Sequence, residues 1–513
     1  MKIHENNIRL IFGLKLRQLR LDNGLSLSDL NKKSGISISY LNEIEKGKKY
    51  PKGDKIMSLA EALGVTYDHL VSLKLNKKLA PVSELIRSNI LSELPLDMFD
   101  IDTSRLLELL SNAPTKLSAF VSTLIEIGRS YDMRVETFYF SVLRSYQEMQ
   151  ENYFQEIEEA VESFASENKL DDEPADASQL LRILSERYDY QISDSLLQEY
   201  PMLKTVRTLT LPAQDKEADG EKQPPVLLLN NELSPYQKAF ALGREAGYCY
   251  LGIKDRTYTS SWVEVDNFDQ VLNNFRASYF SNALAMREGR FLEDMKTFMA
   301  LDTWEPERLI DIMESYHATP EMFLHRMTNL LPKHFGMDEL FFLRFHTTIG
   351  SDNYELTKEL HLSGLHNPHG TVLNEHYCRR WISLTILKEL EEKLKNDTYS
   401  RPLCGAQRSS YIDSKNEYLL ISIARPASPT PDQTVSVSIG LRLNRQLLQQ
   451  IKWINDPAIR TRKVGETCER CSAPDCKERM EAPLVLEAEA RLQKRKTALK
   501  QIESDVRASV SLK

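Results

Sequence analysis

Leu25-Ser26-Leu27-Ser28-Asp29-Leu30, then Gly35, then Ser37-Ile38-Ser39-Tyr40-Leu41-Asn42-Glu43-Ile44-Glu45-Lys46-Gly47, closed by Tyr50-Pro51, decide the fold of the first part of this chain. Leu27, Leu30, Leu41 and Ile44 supply the apolar positions of two short helices, and Gly35 supplies the tight turn that lets the second helix cross the first. Ser37 reads as the N-cap of that second helix.

Ser37, Ser39, Tyr40, Asn42 and Glu43 are left outside the apolar stripe, polar groups of the kind that reach base edges in a major groove. Lys46, Lys48, Lys49 and Lys52 follow at once and suit phosphate contacts. Residues 1–78 hold 12 Lys and 3 Arg against 8 acidic residues, a net charge of +7 within a chain of net charge −8. The alternative, a helical bundle with a lysine-rich solvated face, fits the helix lengths and glycine placement less well. Residues 8–74 resemble the Xre/lambda-repressor-like helix-turn-helix family. That resemblance implies a five-helix domain binding a double-stranded DNA operator as a homodimer or homotetramer, with half-sites one helical turn or a multiple apart.

At 513 residues the chain is too long for one ordinary core, so several domains are expected. No apolar run approaches the ~20 residues of a membrane span and no signal-peptide pattern opens the chain, so a cytoplasmic protein with no membrane partner is expected. Six cysteines are too sparse for a disulfide scaffold, and three crowd into one short stretch. The fold expected is mainly α with a smaller α+β part. Beyond the DNA-binding segment 8–74 it divides into a helical connector or oligomerisation region (81–176), a zincin-like segment (178–330), a sensor domain (331–483) and a charged helical tail (484–513). In the connector Leu106, Leu107, Leu109 and Leu110, then Phe120, Val121, Leu124 and Ile127, recur at helical spacing. From Glu148 to Asp176 the acidic residues face the single base Lys169, which predicts a solvent-facing or linker-like end.

Residues 212–225 form a polar run that reads as an exposed loop, Val226–Leu229 reads as a buried strand, and a helix from Tyr236 to Gly252 carries Arg244-Glu245-x-x-Tyr248. In the His-Glu-x-x-His helix of zinc peptidases two histidines four apart bind zinc and the glutamate acts as general base. Here Arg244 and Tyr248 hold the ligand positions, and a guanidinium repels a cation rather than ligating it. The segment resembles the ImmA/IrrE peptidase-like domain, in an inactive copy in which Arg244 and Glu245 are expected to pair. The downstream helix Asn273–Phe280 resembles the one that gives the family's third, acidic ligand, and holds no carboxylate. The reading is therefore of a protein that is not an enzyme.

Trp304-Glu305-Pro306, Ala318-Thr319-Pro320-Glu321-Met322-Phe323, Arg326-Met327-Thr328-Asn329-Leu330-Leu331-Pro332 and the strand Phe341–Phe345 follow. With the degenerate peptidase motif upstream, these resemble the short-chain fatty acyl transcriptional regulator family, which implies a short-chain acyl-CoA effector. His361, His366 and His369 lie in a polar stretch whose spacings match no standard metal set and are read as structural or ligand-contacting. Arg379, Arg380 and Trp381 offer charge and stacking to an anionic, adenine-bearing ligand, or face solvent. Leu419, Ile421 and Ile423, then Val435, Val437, Ile439 and Leu441, read as two strands, and with Phe341–Phe345 they suggest a GAF-like α+β sensor module.

Cys468-Glu469-Arg470-Cys471-Ser472-Ala473-Pro474-Asp475-Cys476 places three thiols where they can converge on one metal or cluster. A closed zinc site needs a fourth ligand, from Cys404, Cys378, Cys249 or a loop histidine, while three thiols with an open position suit a 4Fe-4S iron-sulfur cluster. The family resemblance implies the four-iron cluster; zinc and free thiols are the alternatives. The tail after Pro483 is a charged helix with Leu484, Leu486, Ala488 and Leu492 as its apolar thread. These readings add up to a sequence-specific DNA-binding regulator. The rivals are a metallopeptidase-type regulator that cleaves a partner repressor and a regulator whose C-terminal half binds a protein.

Overall fold

The computed structural model describes residues 5–72, 135–171, 173–203, 206–215, 222–259, 267–362, 375–414, 416–428, 430 and 432–510. The chain separates into two compact units, Met1–Val142 with Val265–Val271, and Leu143–Glu264 with Leu272–Lys513. The connector leucines from Leu106 on, through Ile127, and His366 and His369, lie outside the described residues.

The first unit holds five N-terminal helices, α1 (Glu5–Asp22), α2 (Leu27–Ser34), α3 (Ile38–Glu45), α4 (Gly53–Leu63) and α5 (Tyr67–Val71). Ser26 and Asp29 close a reciprocal capping box at the start of α2, and Gly35 ends it in the left-handed region at φ 71°. Leu30, Leu41 and Ile44 are fully buried with Phe12, Leu16, Leu59 and Leu70, while Leu27 packs at the edge. A Cβ on Gly13 would stand 2.3 Å from the Ile44 carbonyl oxygen, so only glycine lets α1 approach α3 this closely. Beside that crossing Arg20 holds Glu45 through two hydrogen bonds of 2.7 and 2.9 Å, both side chains nearly buried.

The second unit is built on two sheets. In the smaller, β5 (Val226–Leu229) lies between β1 (Gln191–Ser193), parallel to it, and β2 (Thr208–Leu211), antiparallel. The 212–225 run, expected to be loop throughout, pairs β3 (Gln214–Asp215) with β4 (Lys222–Gln223). The helices that lie wholly or in part in this unit are α6 (Val135–Met149), α7 (Gln155–Glu167), α8 (Ala177–Tyr188), α9 (Pro235–Tyr250), α10 (Phe268–Ala285), α11 (Glu288–Met299), α12 (Pro306–Ser315) and α13 (Pro320–Phe335). α7 corrects the linker reading of 148–176: Phe154, Ile157, Val161, Phe164 and Ala165 are buried in the core. The acidic residues that suggested solvent either point outward or meet arginines far along the chain, as Glu162 meets Arg287 and Glu158 meets Arg326.

The larger sheet has six strands, β6 (Leu340–Thr348), β7 (Glu355–His361), β8 (Leu403–Tyr411), β9 (Glu417–Pro426), β10 (Gln433–Arg442) and β11 (Arg460–Val464), in the order β11-β8-β9-β10-β6-β7. Three strands were expected. β8 escaped because it buries Gln407 and Ser409 in place of apolar residues, and β7 and β11 are charged edge strands. One face of the sheet packs Phe342, Ile421, Ile423, Val435 and Val437 under α13. The other packs Phe341, Leu343, Phe345 and Leu420 against α14 (Ile382–Lys395). α15 (Arg445–Gln450) and the tail helix α16 (Leu484–Val510) complete the chain.

Candidate functional site

The helix-turn-helix presents its sequence-expected face. Ser37 caps α3 by accepting the Tyr40 N–H at 3.4 Å, Ser37 and Ser39 are exposed, and Asn42 and Glu43 are partly so. Lys48 and Lys49 are exposed just past the helix, with Lys46 partly covered. Tyr40 has two roles, since its ring packs at the edge of the core and carries the Lys55 ammonium 4.4 Å from its centroid.

At the zincin-like locus the expected Arg244–Glu245 pair is not formed. Glu245, 1% exposed, pairs with Arg256 at 2.6 Å and accepts hydrogen bonds from Thr210 Oγ1 at 3.0 Å and Tyr190 OH at 3.2 Å. Arg256 also donates to Tyr190 OH at 2.9 Å and lies over the Tyr248 ring. Arg244 turns away, donating to Thr208 Oγ1 at 2.9 Å, while Tyr248 OH donates to Asn274 Oδ1 at 3.1 Å. The positions that would hold zinc are thus filled by a closed hydrogen-bonded net centred on a guanidinium, and every group in it repels a cation or is already engaged. Arg256 was not foreseen because nothing in the sequence sets its loop arginine apart.

The cysteine loop is fastened to the segment Glu375–Cys378. Cys468 N–H donates to the His376 carbonyl at 2.8 Å, Cys378 N–H donates to the Glu466 carbonyl at 3.1 Å, and Glu375 holds both Thr467 and Arg470. Of the candidate fourth thiols, Cys378 lies against this loop. Gly465 N–H points to Cys378 Sγ at 3.4 Å, and a Cβ on the same glycine would stand 2.9 Å from Cys471 Sγ, so Cys378 and Cys471 flank one backbone position. Met480 N–H points to Cys468 Sγ at 3.4 Å. Cys404 and Cys249 sit elsewhere, on β8 and α9. Among the described residues no three side chains already stand as a closed ligand set. Gly465 and Met480 each aim a backbone N–H at a cysteine sulfur of this loop and its neighbour.

A further constellation gathers where the apolar face of the large sheet ends. The strand register sets Lys358 opposite Arg344, and His346, Val435 and Arg425 in one row beside them. Glu321, in the first turn of α13, reaches Arg344 Nε at 3.4 Å and Lys358 Nζ at 3.2 Å. Burial, and then the charges of Arg344 and Arg244, press the Arg207 guanidinium below its ordinary pKa, and burial with Arg344 and Arg207 does the same to Arg425. Arg244 Nε is buried without a hydrogen-bond partner among the described residues, and Arg344 Nε has the Glu321 ion pair but no hydrogen bond. Arg207, Arg344, Arg425 and Lys358 therefore gather around Glu321, with Arg244 beside Arg207, a concentration of positive charge that sequence reading missed because its members come from separate strands, a helix and a loop.

Of the ligand-contacting residues expected from sequence, Arg379, Arg380 and His361 fall among the described residues. Arg379 is buried, donating to the Asp352 carbonyl at 2.6 Å and lying over Tyr354, and Arg380 pairs with Glu478 at 2.8 Å. Trp381, 1% exposed, donates to the Gly465 carbonyl and is closed to a stacking ligand. His361 is at the end of β7, its ring against Phe341.

A helix-turn-helix family model matches residues 16–70, and the model of the IrrE N-terminal-like domain matches residues 204–328. No curated protein matches the chain. Among solved structures the chain is similar to a Mycobacterium tuberculosis transcriptional regulator, at 15% identity and a TM-score of 0.43, covering 67% of this chain and 93% of that one. It is also similar to the apo form of the competence regulator ComR from Streptococcus vestibularis, at 14% identity and a TM-score of 0.12, covering 63% and 96%. The chain carries a helix-turn-helix domain and an IrrE-like domain, and no helix among its described residues is long and apolar enough to cross a membrane.

Proposed function

We propose that this chain is a sequence-specific transcriptional regulator of the cytoplasm that binds operator DNA as a homo-oligomer and is controlled by a short-chain acyl-CoA-type effector. The observation that carries the effector reading is the gathering of Arg207, Arg344, Arg425 and Lys358 around Glu321, with Arg244 beside Arg207. Cations held together with so little carboxylate repel one another, and a ligand bearing several phosphates relieves that repulsion through bidentate guanidinium contacts. A coenzyme A thioester brings a diphosphate and a further phosphate to such a site. The six-stranded sheet with α14 on one face and α13 on the other supports the GAF-like outline of the sensor.

Arg244 belongs both to this cluster and to the helix that would be catalytic in a peptidase. That double membership supports an IrrE-like domain retained as a scaffold for ligand sensing, not as an enzyme. Cys378, Cys468, Cys471 and Cys476 would hold a four-iron cluster, for which the N–H groups of Gly465 and Met480 supply the hydrogen bonds that tune cluster sulfurs. Iron and acid-labile sulfide on anaerobically purified protein, lost in Cys378→Ser as in Cys471→Ser, is the expected result; zinc alone makes the loop a structural clasp.

Calorimetric titration of propionyl-CoA into the full chain tests the effector reading. Binding that falls at least about tenfold in Arg425→Met and weakens with salt is expected. Equal affinity in the variant, or no binding to either, removes the acyl-CoA reading and leaves a protein partner for the second unit.

A further inference from the structure

We propose that the C-terminal helix α16 pairs with the same helix of a second copy of this chain as an antiparallel two-stranded coiled coil. Every residue from Glu487 to Ile502 is exposed. Leu492, Leu499 and Ile502 are respectively 52%, 67% and 60% exposed, more apolar surface than a helix stabilised only by solvated charges displays. Those residues keep a seven-residue period. Val485, Leu492 and Leu499 recur at one heptad position, and Ala488 and Ile502 stand at the position three residues later. A seam of that period marks a helix made to wind around another.

The charges choose the occupant and its direction. Arg495 falls within the seam, at the heptad position of Ala488 and Ile502. In a parallel pair it meets its own copy, and Arg491 on one helix flanks Lys496 on the other, so each contact sets like charges together. Reversing one helix removes both conflicts. With Leu492 facing Arg495 of the second copy, Val485 layers on Ile502 and Ala488 on Leu499. Glu489 then flanks Lys496 twice, once at each end of the symmetric pair. The arginine stem covers Leu492 while its head group reaches water. A self-complementary, two-fold pattern of this kind fits a second copy of the chain. This inference gives the homo-oligomer of the proposed function an interface, and it stands apart from the effector reading and uses none of its residues.

The test mixes unlabelled and 15N-labelled full-length chains, treats them with a zero-length carbodiimide cross-linker and maps the adducts by mass spectrometry. A Glu489–Lys496 adduct joining a light to a heavy peptide is expected; its absence overturns the proposal. The light-to-heavy pairing excludes an adduct formed within one helix. Sedimentation equilibrium supplies a second readout on exposed positions that do not threaten folding. Lys496→Glu should weaken self-association by about fivefold, and Glu489→Lys with Lys496→Glu should restore it to within about twofold. Tighter association of Lys496→Glu would show the parallel arrangement, and no change would show a solvated helix, either of which overturns the antiparallel pair.

Discussion

Asn42 and Tyr40 lie two residues apart on α3 and answer to different constraints. Asn42 is partly exposed and free to read a base edge, whereas Tyr40 also seals the core and holds Lys55. Asn42→Ala is therefore the cleaner probe: operator binding should weaken by about 1–3 kcal/mol with little effect on random DNA, while Lys48→Ala weakens both. Fluorescence anisotropy on the two DNAs checks it, and equal losses for both variants would mean that α3 is not the reading helix. At this scale the sequence was legible where a residue acts through its own neighbours, as with the Ser37 cap and the Gly35 turn. It was silent where a residue acts through a distant partner. Glu245 was visible as the last member of a peptidase motif, but Arg256 was not, because ion pairing across a loop leaves no periodic trace. Arg256→Ala strands a buried carboxylate and should cost the second unit about 3–5 kcal/mol in chemical denaturation. Loss of less than about 1 kcal/mol would show that Glu245 is not held as described.

Among the elements, α13 carries the most varied load. Its first turn supplies Glu321 to the arginine cluster, its middle supplies Arg326 to Glu158, and His325 between them packs against Phe342. Burial, and then the Lys358 ammonium, push the His325 imidazole down to about 3 from an ordinary value near 6.5. The folded chain thus refuses a proton that the unfolded chain takes up below about pH 6.5. The stability tied to a neutral His325 is complete above that pH and drains away as the pH falls toward 3. The urea midpoint of the second unit should drop between pH 7 and pH 5, and His325→Gln should flatten that drop; an unchanged profile would show that the ring is solvated. Elements built on apolar periodicity, such as β9, β10 and α9, were legible from their sequences. β8 was not, because its inward residues Gln407 and Ser409 are polar and satisfy each other by a 2.8 Å hydrogen bond. α7 was misread because its charges outnumber its buried stripe in composition, though not in packing.

For the whole molecule, the charge asymmetry seen in the sequence has a structural counterpart. The positive first segment belongs to the helix-turn-helix, and within the acidic remainder the arginines of the second unit are drawn together at one place. On our account the two are linked as operator and effector sites. An effector shifts DNA binding only by its differential affinity for the two states, typically worth about 1–3 kcal/mol, or roughly five- to 150-fold. The most direct test is the operator dissociation constant of the full chain, on DNA enriched by selection, with and without saturating propionyl-CoA and with Arg425→Met as control. A shift of at least about fivefold in the wild type that vanishes in the variant is expected. An operator affinity that is the same with and without the ligand, in protein shown to bind it, would contradict it.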